Sequence, residues 1–245
     1  MGEFAVGQSV PREEDPRFLK GDGEFLDDLN LQNQAWGYVL RSPYAKADIL
    51  SVDTSAAESA KGVLRVLTGT EWEAENYGGL PCEDSTKKSP DGSSMFHPYH
   101  PALVSSQAKM VGDPIAFVVA ETPEQARDAS ELIVVEYKPL PAVALLEEAI
   151  SGEAPPVWID CPDNICFFEE KGDAAAAAAA FEKADHIVRR KLVNNRVTAV
   201  AIEPRGCIGD YDRRKDRYTI YTGLQNPHPL RYQIARQVFD IPETA

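Results

Sequence analysis

The stretch Ile115-Ala-Phe-Val-Val-Ala-Glu-Thr-Pro-Glu124 decides the fold class. Its first six residues are apolar without alternation, which predicts a strand buried on both faces. Thr122-Pro123-Glu124 then predicts a helix start: a hydroxyl cap, proline at the first helical position, and an acid at the positive end of the helix dipole. The helix is expected to reach about Glu131. A strand over Leu132–Tyr137 and the stiff Lys138-Pro-Leu-Pro141 follow it. A buried strand, a short helix and a second strand in succession indicate an α+β domain.

Toward the N-terminus, residues 35–41 and 47–52 read as two strands of a hairpin around a Ser42-Pro43 turn. Asp53–Lys61 reads as a short helix, with Asp53, Thr54 or Ser55 as its cap and Gly62 as its end. Val63–Leu67 is a further strand, and Thr68 or Thr70 caps a helical turn carrying Trp72. Residues 1–30 are polar and acidic, with a turn at Gly21 and Gly23. Residues 75–100 are loop-like. His97 and His100 are a conceivable metal pair there, but no carboxylate or Cys has a matching spacing, and Pro98 breaks any common helical face. Surface or packing histidines are the better reading.

Toward the C-terminus, residues 151–164 are rich in Pro, Gly and Asp and read as a linker. Asp173 is placed to cap an alanine-rich helix from Ala174, which has only a thin face to pack. Strands are expected near 185–193, 198–203, 206–211 and 218–224, with Arg213–Arg217 as a solvated hairpin turn. A helix over Leu230–Phe239 carries Leu230, Ile234 and Val238 on one face.

The 245 residues suffice for one large or two modest domains, and 43% hydrophobic with 26% charged residues is ordinary for a globular protein. A net charge of −14 and a pI near 4.7 argue against nucleic acid and anionic membrane surfaces as partners. No apolar run approaches the roughly 20 residues that span a bilayer. Met1–Val6 has neither the basic region nor the apolar core of a secretory signal, and Met1-Gly2 with Ser9 misses the myristoylation spacing. The expected location is the cytoplasm, with Cys82, Cys161, Cys166 and Cys207 as reduced, unpaired thiols. Cys161 and Cys166 have the spacing that opens a ferredoxin motif, but no close Cys-x-x-Cys completes a cluster.

The residue singled out for chemistry is Gln225, in Tyr218-Thr-Ile-Tyr-Thr-Gly-Leu-Gln-Asn-Pro-His228. Alternating residues from Tyr218 to Leu224 form a half-buried strand that delivers a neutral amide to a Pro-framed turn before a helix. A side chain that donates and accepts hydrogen bonds suits contact with a ligand of a buried metal centre. The bland alternative is a turn residue. No nucleophile elbow, P-loop or dinucleotide fingerprint occurs, so a hydrolase using His and Asp finds no support.

Five segments together resemble the molybdenum hydroxylases, the family of xanthine dehydrogenase, aldehyde oxidase and the carbon monoxide dehydrogenase large subunit. They are Arg12–Asp28, Leu40–Ala47 with Gly62–Thr68 after it, Val111–Ala142, Ile202-Glu-Pro-Arg205, and Thr222–His228. Lys46 departs from the family, in which many members carry His.

The resemblance implies an α/β hammerhead domain over 18–150 after an extension over 1–17. The linker 151–164 and the first strands and helices of a molybdopterin-binding domain over 165–245 follow. It also implies hydroxylation of a carbon centre with water-derived oxygen at a molybdenum held by a pterin, in a dinucleotide form. A glutamate base assists, and electrons leave through iron–sulfur clusters and FAD on partner domains or subunits. Of the metal-contacting positions only Gln225 is carried over, as a cofactor-binding residue; no catalytic residue and no direct metal ligand is assigned.

Glu203 and Arg205 are assigned to supporting structure, with Glu203 expected to pair with Arg196 or Arg205. The family's Gly-Gly-Phe-Gly loop and catalytic glutamate motif have no counterpart here. The chain is therefore expected to be a fragment, a short gene product or one piece of a split subunit, inactive alone and completed by the remaining molybdenum-binding portion. The competing reading is a non-catalytic hammerhead module for interaction or assembly.

Overall fold

The structure is a computed structural model that describes residues 11–80 and 88–245. The readings at the extreme N-terminus and Cys82 lie outside the described residues. Along the chain run α1 (Asp15–Leu19), β1 (Trp36–Arg41), β2 (Ala47–Asp53), α2 (Ser55–Glu58), β3 (Val63–Thr68) and α3 (Gly69–Ala74). The short β4 (Gly79–Leu80), β5 (His100–Pro101) and β6 (Gln107–Ala108) precede β7 (Pro114–Ala120), α4 (Pro123–Ser130) and β8 (Val134–Pro139). Then come α5 (Leu146–Ala149), α6 (Ala174–Lys183), β9 (Cys207–Asp212), β10 (Arg217–Thr222) and α7 (Pro227–Tyr232), which a π-helical turn over Gln233–Val238 extends.

Contacts divide the chain into two compact units. One comprises the described residues through Gln34 with Val197–Gln225; the other comprises Ala35–Arg196 with Asn226–Ala245.

The larger unit is built on two antiparallel three-stranded sheets, in the orders β1-β7-β3 and β6-β2-β8. β7 is the central strand of the first, and Ile115, Ala116, Val118 and Ala120 are fully buried, as its unbroken apolar sequence requires. Ala57 from α2, Val66 from β3, Ala116 and Val118 from β7, and Ala129 and Ile133 from α4 and its exit form the core cluster. Thr122 caps α4 as expected: its hydroxyl accepts the Gln125 N–H, and Gln125 Oε1 accepts the Thr122 N–H at 3.1 Å. The helix expected to reach Lys61 is shorter: α2 ends at Glu58 with Ser59 as its C-cap, and Gly62, at φ +84°, lies in the turn before β3, a conformation that disfavours a side chain.

The hairpin expected from residues 35–41 and 47–52 does not form. Both segments are strands, but β1 pairs with β7 and β2 pairs with β6 and β8. Ser42 is buried between them; its N–H donates to Asp113 O at 2.8 Å and its Oγ accepts the Tyr44 N–H. The turn thus carries the chain from one sheet to the other. Ser-Pro lacks the positive-φ residues of a two-residue hairpin, and the distant apolar strands win the pairing.

Residues 151–164, expected as a linker, are an ordered loop. Asn164, at φ +60°, accepts the Val157 N–H and donates to Ala149 O and Pro155 O. Lys46, the position that departs from the family, donates to Pro156 O and ties the start of β2 to this loop. Asp173 caps the alanine-rich α6 by accepting the Ala176 N–H at 2.8 Å, and the helix is exposed throughout.

The helix expected over Leu230–Phe239 starts earlier, at Pro227, and its second half is π-helical. Its buried residue is Ala235, while Leu230, Ile234 and Val238 are half-buried. Gly78 donates to Val238 O at 2.8 Å, and Trp72, Tyr77 and Phe239 meet edge to face around this contact.

The strands expected over 185–193 and 198–203 are absent: residues 185–206 form no strand. Val188, Leu192, Val193, Val197, Val200 and Ile202 are 76–92% exposed. Their β-branched sequence suits a strand, but a strand exists only where its N–H and C=O groups find a neighbour. The last two strands do form, as the antiparallel pair β9–β10 with register Arg217↔Asp212 to Thr222↔Cys207.

Candidate functional site

Gln225 lies in the smaller unit, three residues beyond the end of β10, in the bend that leads to the helix at Pro227. Its side chain is exposed and its amide has no hydrogen-bond partner among the described residues. The strand and turn on which it sits are fixed from three directions. Thr222 Oγ1 donates to Gly206 O at 2.9 Å across the open end of the hairpin. Tyr211 and Tyr218 stack at 4.6 Å between centroids, and Tyr211 OH donates to Asp216 Oδ1 at 2.7 Å, closing the tip. That hydrogen bond to Asp216 is the main reason the Tyr211 phenol titrates above its ordinary range.

The third support is Glu203. Its Oε1 accepts the Leu26 N–H at 2.8 Å, and its Oε2 faces Gly223, where an added Cβ would stand 3.4 Å away. The expected ion pair with Arg196 or Arg205 is not formed; the half-buried carboxylate takes a main-chain N–H instead. Leu26 is presented by a turn in which Asp28 Oδ2 accepts the Phe25 N–H at 2.8 Å, and Leu26 Cδ2 packs so near Gly206 that a Cβ there would lie 2.8 Å from it. The sequence placed Glu203 in a supporting role, but nothing local in it signals Leu26 as the partner.

His97 and His100 are both exposed, and His100 meets the Trp158 ring edge-on at 5.9 Å. Among the described residues no group of three or more His, Cys, Asp or Glu could hold a metal ion. Cys161, Cys166 and Cys207 are unbridged. Cys161 is buried in a groove bounded by Asp91, Asp160, Asp163 and Cys166; burial pushes its thiol above the ordinary range, which opposes the thiolate that metal ligation needs.

A single neutral amide, uncommitted and held at the end of a braced hairpin, can donate to or accept from a ligand of a metal without binding the metal itself. A cofactor that brings its own sulfur and oxygen donors fits that arrangement.

Comparison with known proteins finds two family matches in succession. The aldehyde oxidase and xanthine dehydrogenase a/b hammerhead domain matches residues 20–141, and the molybdopterin cofactor-binding domain matches residues 158–245. The chain is 33% identical to the nicotine 6-hydroxylase large subunit of Paenarthrobacter nicotinovorans over 92% of its own length and 27% of that protein. It is 29% identical to the carbon monoxide dehydrogenase large chain of Afipia carboxidovorans over 97% of its length and 29% of that protein.

Among solved structures, carbon monoxide dehydrogenase from Oligotropha carboxidovorans superposes with a TM-score of 0.82 at 28% identity, covering 97% of this chain and 29% of that one. Quinoline 2-oxidoreductase from Pseudomonas putida 86 gives 0.78 at 30% identity, with 97% and 29% covered. The chain thus spans under a third of the length of these relatives.

Proposed function

The chain belongs to the molybdenum hydroxylases, the family of xanthine dehydrogenase, aldehyde oxidase and the carbon monoxide dehydrogenase large subunit, and from that membership we propose that it works as one portion of a molybdenum subunit. In this reading residues 18–150 are the hammerhead, 151–164 the connection, and 165–245 the first part of the molybdopterin-binding domain. The completed subunit adds water-derived oxygen to an aldehyde, an aromatic heterocycle or carbon monoxide. Iron–sulfur and FAD groups on partner domains or subunits carry the electrons away, and the assembly is cytoplasmic. No helix among the described residues is long and apolar enough to cross a membrane.

The observation that supports this reading is the uncommitted Gln225 amide at the end of a hairpin braced by Glu203 and Thr222. The pterin-bound molybdenum, in a dinucleotide form, supplies two-electron acceptor chemistry when bound. Gln225 would orient one of the metal's ligands by a hydrogen bond. Glu203 and Thr222 hold the ends of the strands so that the amide keeps its place. The proton acceptor for the reaction lies outside this chain's residues, so the chain alone is inactive.

Metal and pterin analysis of the protein purified from its own cells, with whatever polypeptides accompany it, tests the reading. Molybdenum and a pterin in stoichiometric amount are expected; a preparation containing neither would leave only an assembly module. Turnover of an aldehyde or purine by the isolated 245-residue chain, with an artificial electron acceptor, would overturn the assignment of the base to another polypeptide or segment.

A further inference from the structure

Cys161 and Cys166 stand at the two ends of one turn in the larger unit. Asn164, at φ +60°, closes it by donating its N–H to Cys161 O at 3.1 Å. Cys161 is 6% exposed, whereas Cys166 is open to solvent. The Cys161 Sγ donates to Ile165 O at 3.5 Å, and the fixed geometry of the next peptide then puts it about 6 Å from the Cys166 Cα. Asp163 Oδ1 lies 3.8 Å from the same sulfur and is held by the Ile165 N–H at 3.0 Å. Burial first, then the Cys166 thiol and the Asp163 carboxylate, push Cys161 above the ordinary thiol range, so it rests protonated. An exposed sulfur, a protected sulfur in the same turn and a carboxylate within reach of the protected proton are what thiol–disulfide exchange uses.

The same turn seats a neighbouring segment. Phe96 N–H donates to Cys166 O at 2.8 Å, and Phe168 N–H donates to Ser89 Oγ at 3.2 Å. These bonds hold the short hairpin closed by the Lys88↔Ser94 bridge against residues 161–168. The Ile165 carbonyl holds the Cys161 thiol, so a sulfur–sulfur bond has to displace that carbonyl and turn the 165–166 peptide with it. Cys166 O, the acceptor for Phe96, belongs to the residue that must move.

We infer that Cys161 and Cys166 form a reversible disulfide by exchange with a small organic disulfide, and that the bridge releases the 88–96 segment. The Cys166 thiolate attacks one sulfur of the reagent, forming a mixed disulfide and expelling a first thiolate. The Cys161 sulfur then attacks the Cys166 sulfur, Asp163 accepts the Cys161 proton, and a second thiolate leaves. Two protein thiols are oxidised and one organic disulfide is reduced to two thiols, which take up the two protons through solvent. A cationic reagent suits the site, because Asp91, Asp160, Asp163 and Glu170 border the groove around the two sulfurs. A thiol-rich compartment reverses the bridge by the same steps, which makes it a switch and not a permanent staple. The inference does not rest on the role of Gln225.

Cystamine titrated against cysteamine on the 245-residue chain, quenched with acid, alkylated and mapped by peptide mass, tests this. The peptide carrying both cysteines is expected to lose two hydrogens, to hold no cysteamine, and to regain both hydrogens on treatment with dithiothreitol. Cys161→Ala should leave a lasting cysteamine adduct on Cys166, and Cys166→Ser should slow modification of the buried Cys161 by about tenfold or more. In the bridged chain the Phe96 amide should exchange about tenfold faster than in the reduced chain, while β7 amides stay equally protected. A wild-type chain that keeps a stable adduct on Cys166 with Cys161 still free overturns the bridge, as does pairing of either cysteine with Cys82 or Cys207. A bridge that leaves Phe96 exchange unaltered overturns the release of the 88–96 segment.

Discussion

Glu203 Oε1 accepts the main-chain N–H of Leu26 at 2.8 Å across 177 positions of sequence. This bond joins the turn at Phe25–Asp28 to the entrance of the β9–β10 hairpin, within one compact unit. Substituting Glu203 by Ala leaves the Leu26 N–H without an acceptor, at a cost of about 1–2 kcal/mol for this half-buried group. Glu203→Gln keeps an oxygen in the same place and should recover most of the loss. Exchange at the Leu26 amide reads the effect directly: faster in the Ala variant, near wild type in the Gln variant. Equal rates in all three proteins would show that the contact does not hold the turn.

A second prediction concerns Thr122, whose hydroxyl accepts the Gln125 N–H at the start of α4. That helix contributes Ala126 and Ala129 to the buried interior. Thr122→Ala should cost about 1 kcal/mol of stability and Thr122→Ser much less, because only the former removes the acceptor. Denaturant midpoints of the two variants decide it, and a Ser variant as unstable as the Ala variant would assign the effect to the lost methyl group instead.

Why α4 could be read from sequence while other elements could not follows from where their partners lie. The Thr-Pro-Glu cap is complete within four residues, and β7 is apolar enough to declare itself central. β1 and β2 were legible as strands, yet their pairing was not, because each is bonded to strands some seventy to ninety positions away. A two-residue turn says nothing of such competition. Residues 185–203 show the opposite limit: their pattern is that of strands, and among the described residues no strand pairs with them. Gln225 was reached through the motif around it, and the geometry adds what the motif did not contain, namely its exposure and the brace formed by Glu203, Leu26 and Thr222.

The role of Gln225 leads to the third prediction. In a molybdenum-loaded assembly, Gln225→Ala should lower the rate by about 10–100-fold and alter the metal's electronic or magnetic spectrum, since the proposed hydrogen bond to a metal ligand would be removed. The exposed side chain supports no packing, so the thermal midpoint should move little. Gln225→Glu, which keeps an acceptor but adds charge, should shift the spectrum in a different way. A Gln225→Ala variant with unchanged rate and spectrum would reduce the residue to a turn position.

Limited proteolysis gives the last prediction, and the structure moves its site. A linker at 151–164 would be the first place to cut, but Asn164 and Lys46 bond that loop in several places. Residues 185–203 have no strand partner among the described residues, their side chains are largely exposed, and a protease needs an extended stretch of unbonded backbone. Arg189, Arg190, Lys191 and Arg196 lie in this stretch, each exposed to trypsin. Brief tryptic digestion of the isolated chain should therefore cleave first between Arg189 and Arg196. The sheets around β7 should survive, with their core of Val66, Val118 and Ile133 intact. The same bonds should resist cleavage in the molybdenum-loaded assembly. First cleavage after Lys171 instead, ahead of Arg189–Arg196, would show that residues 185–203 have an order of their own that protects them.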